Sequence, residues 1–142
     1  MAEIIRGAVH HVDLNVTDLE ASRRVYGLVL EFLGYTLVTT DGRYEWDLRG
    51  QEGRGASIGL RPCDPAQVGH RHRRYAPGLH HLAWRAESRA DVDRLHALLV
   101  EHKVPVLDPP AHYPDYSGDY YAVFFEDPDG MKLEVVHAPG WI

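Results

Sequence analysis

The segment HHVDLNVTDLEAS at residues 10–22 returns in altered form as HHLAWRAESRADV at residues 80–92. His10 and His80, His11 and His81, Leu14 and Trp84, Leu28 and Leu98, and Glu31 and Glu101 are each separated by 70 positions. Later in each half, GASIGLRP (55–62) lies under GMKLEVVH (130–137) at an offset of 75, as a five-residue loop insertion in the second copy requires. A repeat this long means two copies of one supersecondary unit, whatever the single elements turn out to be. The 142 residues therefore read as one domain, 1–142, built from a module at about 7–62 and a second at about 77–138. The linker is expected between Pro62 and Pro77, where Pro, Gly and Arg-His replace alternation.

Within a module the order is strand, helix, then three strands. VHHVDLNV alternates Val12, Leu14 and Val16 with His11, Asp13 and Asn15, the period of a half-buried strand. Thr17 with Glu20 has capping-box spacing, Leu19, Ser22, Tyr26, Val29, Leu30 and Leu33 share a helical face, and Gly34 supplies a stop. In the second copy Ser88 with Asp91 opens a helix whose Val92, Leu95, Leu99 and His102 lie on one side. YTLVT, YEWDLR, ASIGLR, YYAVFFED and MKLEVVH are short and rich in aromatic or β-branched residues, hence strands. The fold class is α+β, a βαβββ unit used twice.

Strand parity distinguishes the members of each His-His pair. If the apolar face packs on the helix, His11 points away from it and His10 joins the core side. Leu82 and Trp84 give the same result for His81 against His80, and Leu133 with Val135 sends Glu134 and Lys132 to the face opposite the helix. Two imidazoles and a carboxylate projecting from equivalent faces of three strands suit a divalent metal with open positions for water or substrate. A lone strand histidine is usually a surface or hydrogen-bonded core residue, and the chain has 10 of them. Repetition at a fixed offset is what separates His11 and His81 from His96, His102 and His137, read as helix-face or surface residues.

Composition narrows the partners. A net charge of −6 and a pI near 5.9 argue against nucleic acid, although GHRHRRYAPG (69–78) is a local basic cluster. It reads as a solvated loop, with steering of an anionic small molecule the lesser reading. No run approaches the ~20 apolar residues of a membrane span, and MAEIIRGAVHH lacks a basic segment leading into an apolar one, so a cytoplasmic protein is expected. Cys63 is the single cysteine and reads as a bystander.

The motifs HHVDLNVTDLEASRRVYG, GLHHLAW and FFEDPDGMKLEVV resemble the vicinal oxygen chelate superfamily, which takes in glyoxalases, bleomycin-resistance proteins and extradiol dioxygenases. The resemblance spans nearly the whole chain, and the DPDG turn followed by KLE is its most specific part. It implies paired βαβββ modules forming a curved, barrel-like mixed sheet with a metal-lined cup. Carried over position by position, the family's ligands fall on His11, His81 and Glu134, the three that parity selects. A fourth ligand of many glyoxalase-type members falls on Gly59, so the standard glyoxalase I base is absent. A tyrosine common in fosfomycin-resistance and extradiol branches falls on Phe124, with Tyr120 and Tyr121 nearby. Members often pair as homodimers, some with one site built from both chains.

The leading expectation is a metal-dependent glyoxalase-like lyase or isomerase acting on a small substrate chelated through vicinal oxygens. The ion is Zn, Fe, Ni, Co or Mn. Acid–base candidates, besides Glu134 itself, are Glu45 and Asp47 on the polar parity of YEWDL, then His112, Tyr113 and Tyr116 in AHYPDYSGDYY, and Tyr121 at its end. That loop reads equally as a lid or a plain connection, and Arg85 either meets a substrate carboxylate or forms an internal salt bridge. The alternatives are a one-domain Fe(II) extradiol dioxygenase and a bleomycin-resistance-type binder without turnover, a class that lacks the ligand triad.

Overall fold

The computed structural model describes residues 5–50 and 55–142; the four residues MAEI, part of the N-terminal reading, lie outside them. The chain divides into two compact units, Met1–His70 and Arg71–Ile142. Each carries one helix and one mixed four-stranded sheet, so the fold is α+β with the βαβββ unit present twice.

The first unit comprises β1 (His11–Val16), α1 (Leu19–Phe32), β2 (Thr36–Thr39), β3 (Tyr44–Leu48) and β4 (Ala56–Pro62), followed by a short 3-10 turn, Pro65–Gln67. Its sheet order is β1-β4-β3-β2, with β1 parallel to β4 and the other pairs antiparallel. The second unit repeats this with β5 (Leu82–Arg85), α2 (Arg89–Glu101), β6 (Val106–His112), β7 (Tyr121–Glu126) and β8 (Lys132–His137), in the order β5-β8-β7-β6. Pro109 and Pro110 are accommodated because β6 is an edge strand, irregular between Asp108 and Ala111.

The helices bury the stripes that their spacing announces. Tyr26, Val29 and Leu30 of α1 and Val92, Leu95 and Leu99 of α2 are each fully buried. Each apolar side chain of this size contributes roughly 1.5–3 kcal/mol of transfer free energy. His102, expected on the α2 face, is instead the exposed C-cap residue. At the start of α1 the cap is Asp18, whose carboxylate accepts from Ala21 N–H at 3.0 Å, and not Thr17. Glu20 is unavailable for a capping box because its carboxylate accepts from the Tyr44 hydroxyl and approaches Arg23. Ser88 caps α2 as expected, accepting from Asp91 N–H at 3.1 Å, while Asp91 accepts from Glu87 N–H at 3.0 Å. Gly34, with φ +95°, ends α1 in the left-handed region that glycine adopts freely.

The registers superpose the two halves. Asp13 pairs with Gly59 across β1 and β4, and Ala83 pairs with Glu134 across β5 and β8. Gly59 and Glu134 are therefore the same structural position, the first without a side chain and the second with a carboxylate. No described helix is long and apolar enough to cross a membrane.

Candidate metal centre

Glu134 is the centre of the second unit's polar chemistry. It lies on β8 between Leu133 and Val135 and is completely buried, on the face that β7 shares through the pair Phe124–Glu134. A buried carboxylate is strongly disfavoured unless both oxygens are met. The Tyr120 hydroxyl donates to Oε1, and Oε2 stands 3.2 Å from His81 Nε2. Tyr120 is itself buried (4 % exposed), and burial, followed by the hydrogen bond to the Glu134 carboxylate, raises its phenol above the ordinary tyrosine range. The phenol therefore stays protonated near neutral pH, as a donor must.

His81 precedes β5, its side chain about one-third exposed. Its ring is 6.5 Å from Phe124 and meets His80 edge to face, at 5.0 Å between centroids, with the two Nδ1 atoms 2.8 Å apart. In such a contact one ring donates and the other accepts. Burial, then the charge of His81 and of Arg74, Lys132 and His72, holds His80 below the usual imidazole range, which favours its neutral form. His81 Nε2, 3.2 Å from Glu134 Oε2, donates to that oxygen when it carries the ring proton and is a ligand nitrogen when the proton sits on Nδ1 instead. The first unit repeats this pairing in His10 and His11, with Nδ1 atoms 3.0 Å apart and rings at 88°.

His11 lies on the exposed face of β1 together with Asp13 and Asn15. Its neighbour across the parallel pairing is Ser57, whose hydroxyl donates to Glu45 at 3.2 Å; Glu45 also faces Arg43 at 3.8 Å. The Asp13 carboxylate lies over Gly59, where a side chain would otherwise stand, and is held by Arg61 at 3.5 Å. A shallow cavity of ≈ 340 Å³ in this unit is lined by His10, Asp47, Leu48, Arg49, Gly55 and Ser57. Among the described residues, neither unit by itself gathers three His, Cys, Asp or Glu side chains into one cluster.

The remaining candidates fall elsewhere. His112 Nε2 meets the Gly118 carbonyl at 2.8 Å, pinning its own loop. Tyr121 turns to the helix side, where its hydroxyl donates to Asp93 at 2.6 Å under the Arg89 guanidinium. Tyr120, its neighbour, is the residue that reaches the carboxylate. Tyr113 and Tyr116 stack on each other at 5.7 Å and both pack edge-on against Tyr120, forming an aromatic wall beside it. Burial, then the Asp108 charge, raises the Tyr113 phenol, so it too is a proton donor near neutrality. Arg85 donates to the Ile142 carbonyl at 3.1 Å.

The His81–Glu134 pair fits a metal edge. Nitrogen and oxygen ligands at 2.0–2.2 Å from one ion lie about 3.0–3.4 Å from each other at octahedral to tetrahedral angles, and the observed separation is 3.2 Å. Tyr120 occupies the other oxygen, so Glu134 would bind through Oε2 alone.

Comparisons with known proteins agree with the fold. Residues 8–135 match the model of the Glyoxalase/Bleomycin resistance protein/Dioxygenase superfamily. The protein YqjT of Bacillus subtilis (strain 168) is 37% identical over 129 residues, covering 90% of this chain and 97% of YqjT. A glyoxalase-type protein from Bacillus halodurans superposes with a TM-score of 0.77 at 30% identity, over 94% of this chain and 97% of its own. A lactoylglutathione lyase from Agrobacterium tumefaciens shares the fold at TM-score 0.65 and 22% identity, over 97% and 98% of the two chains. With the repeated βαβββ unit, the paired histidines and a family match over most of its length, the chain belongs to the glyoxalase/bleomycin resistance protein/dioxygenase superfamily.

Proposed function

We propose that His81 and Glu134, joined by His11 from the first module of the same chain or of a second copy, hold one divalent transition metal. The protein is then a glyoxalase-like lyase or isomerase acting on a small molecule that presents two neighbouring oxygens. The observation that carries this reading is the fully buried Glu134 with Oε2 at 3.2 Å from an imidazole nitrogen and Oε1 satisfied by a phenol. Bound there, a divalent ion would polarise a substrate carbonyl and stabilise an adjacent oxyanion.

The chain's own residues prepare that site. Tyr120 fixes the carboxylate rotamer by donating to Oε1, which leaves Oε2 as the ligand atom. With a metal on Nε2, His81 would carry its proton on Nδ1 and donate it to His80 Nδ1, 2.8 Å away, which would fix the ring's orientation. Phe124, packed edge-on against Tyr113 at 5.5 Å, supplies an apolar ring beside His81 on one side.

Elemental analysis of tag-free protein purified without chelator tests the reading. About one transition metal per chain is expected in the wild type, strongly reduced in Glu134→Ala and in His11→Ala. Iron would direct the next assay to catechol cleavage with oxygen consumption; Zn, Ni, Co or Mn would direct it to isomerase and lyase substrates. A protein with no metal, which takes up none of these ions when they are added back, would sink the metal-dependent reading and turn attention to ligand sequestration.

A further inference from the structure

The basic cluster at 69–78, expected to be a solvated loop, is in part fastened to the second unit. His72 N–H donates to the Asp129 carbonyl at 2.8 Å, and the Arg71 guanidinium lies over Gly130, close enough that a Cβ there would overlap it, and reaches Glu126 at 3.5 Å. Gly130, at φ +82°, thus serves both the DPDG turn and the seat of Arg71. Arg74 follows: it donates to the Tyr75 hydroxyl at 2.8 Å and lies 4.8 Å over that ring, which packs 5.4 Å from His80.

A second cation stands on the other side of His81. Lys132 lies one residue before Leu133, as His81 lies one before Leu82, and Leu82 and Leu133 are register partners. Lys132 shares the face of Glu134, two residues away, and its amino group is 4.2 Å from the centroid of Phe124, the ring that His81 also meets. Arg71 is matched by Glu126, but among the described residues neither Arg74 nor Lys132 has a carboxylate within ion-pair distance. Two cations without a carboxylate, flanking a row of rings that contains His81, create a positive potential beside the His81–Glu134 pair.

The geometry points to a substrate that carries an oxyanion, carboxylate or phosphoryl, held by Lys132 beside the His81–Glu134 pair and drawn in by Arg74. The assignment of this anion to the substrate rests on the metal-centre reading; the anion contact itself belongs to Lys132 and Arg74. Lys132 presents a compact ammonium to one or two anionic oxygens, and Arg74 a guanidinium fork.

The test is a titration with sodium acetate and, separately, sodium phosphate, at ionic strength held constant with chloride, following the histidine ring resonances by NMR. The wild type should show saturable shifts of the His80 and His81 rings. Lys132→Gln should weaken binding about tenfold, and Lys132→Arg should retain it, as expected for a charged hydrogen bond. Arg74→Gln should weaken it less. Tighter acetate assigns a carboxylate and tighter phosphate a phosphoryl group. Absence of saturable binding in the wild type, or unchanged affinity in Lys132→Gln, overturns the proposal. Metal content measured on the same samples keeps the two readings apart. A wild type that binds no metal but binds anions through Lys132 loses the metal centre and keeps the anion site; a Lys132→Gln protein with wild-type metal and no loss of anion affinity does the reverse.

Discussion

Two adjacent tyrosines with opposite fates show how much rests on one hydroxyl. Tyr120 donates to a carboxylate that is 0 % exposed, whereas Tyr121 donates to Asp93 at the surface of α2. Removing the first hydroxyl leaves a buried charged oxygen unmet, which costs about 1–3 kcal/mol, while an exposed pair contributes about 1 kcal/mol or less. Tyr120→Phe is therefore expected to lower urea stability by about 2 kcal/mol and metal affinity by about ten- to a hundredfold, the range for groups that orient a ligand. Tyr121→Phe should leave metal affinity at the wild-type value. Equal effects of the two variants on metal binding would remove Tyr120 from the site. Choosing between them was beyond the sequence, for a physical reason. β7 has the burial pattern of a strand covered on both faces, so YYAVFFE carries no alternation from which parity is read. In β1, by contrast, one face is exposed and the other buried, and alternation displays His11 correctly against Leu14 and Val16. The helix cap was ambiguous for another reason: Thr17 and Asp18 are both good caps, and only the long-range contact from Tyr44 to Glu20 removes the box that would have favoured Thr17.

At the scale of elements, the repeat was legible because its offsets are backbone registers. Asp13–Gly59 and Ala83–Glu134 are the same rung of two sheets, so the difference between offsets of 70 and 75 is the extra loop length in the second copy. The two glycines of β4 and its approach make a contrast that tests this. A Cβ at Gly59 would overlap the carboxylate of Asp13, the far end of an exposed side chain that can swing away. A Cβ at Gly55 would overlap the Leu48 carbonyl, part of the β3 backbone. Gly59→Ala should thus cost about 0.5 kcal/mol or less and Gly55→Ala about 1–3 kcal/mol by urea denaturation, since overpacking against backbone forces a shift. The α2 cap adds a pH signature. The Glu87 N–H, and then Arg94, hold the Asp91 carboxyl below the usual carboxylate range. A depressed folded-state pKa adds stability above the unfolded value and loses it as pH falls through the folded one. The stability difference between wild type and Asp91→Asn, about 1 kcal/mol near neutrality, should persist down to about pH 4 and shrink below it. A difference constant from pH 7 to pH 2 would show that the charge of Asp91 is idle.

At the scale of the whole molecule, the His81–Glu134 pair needs a third ligand from outside its own module. Neither module alone assembles three ligating side chains among the described residues. The residues immediately before the histidine pairs, Val9 and Leu79, occupy corresponding places in the repeat and are apolar yet 70% and 39% exposed. Apolar residues left open beside each pair are suited to burial against a second chain, and a two-module chain presents related surfaces for a twofold dimer. We therefore expect His11 of one copy to complete the site of another. Mixing distinguishes this from assembly within one chain. His11→Ala and Glu134→Ala proteins, each deficient in metal, are unfolded together and refolded at equal concentration. If the site spans two copies, half of the dimers pair one variant with the other, and each of these has one intact site, giving about one quarter of the wild-type metal per chain. If all ligands come from a single chain, every chain in the mixture lacks one, and the metal content stays at the level of the separate variants. Recovery to about a quarter, lost again when the refolded mixture is replaced by either variant alone, is the outcome that the exposed residues beside the two histidine pairs lead us to expect.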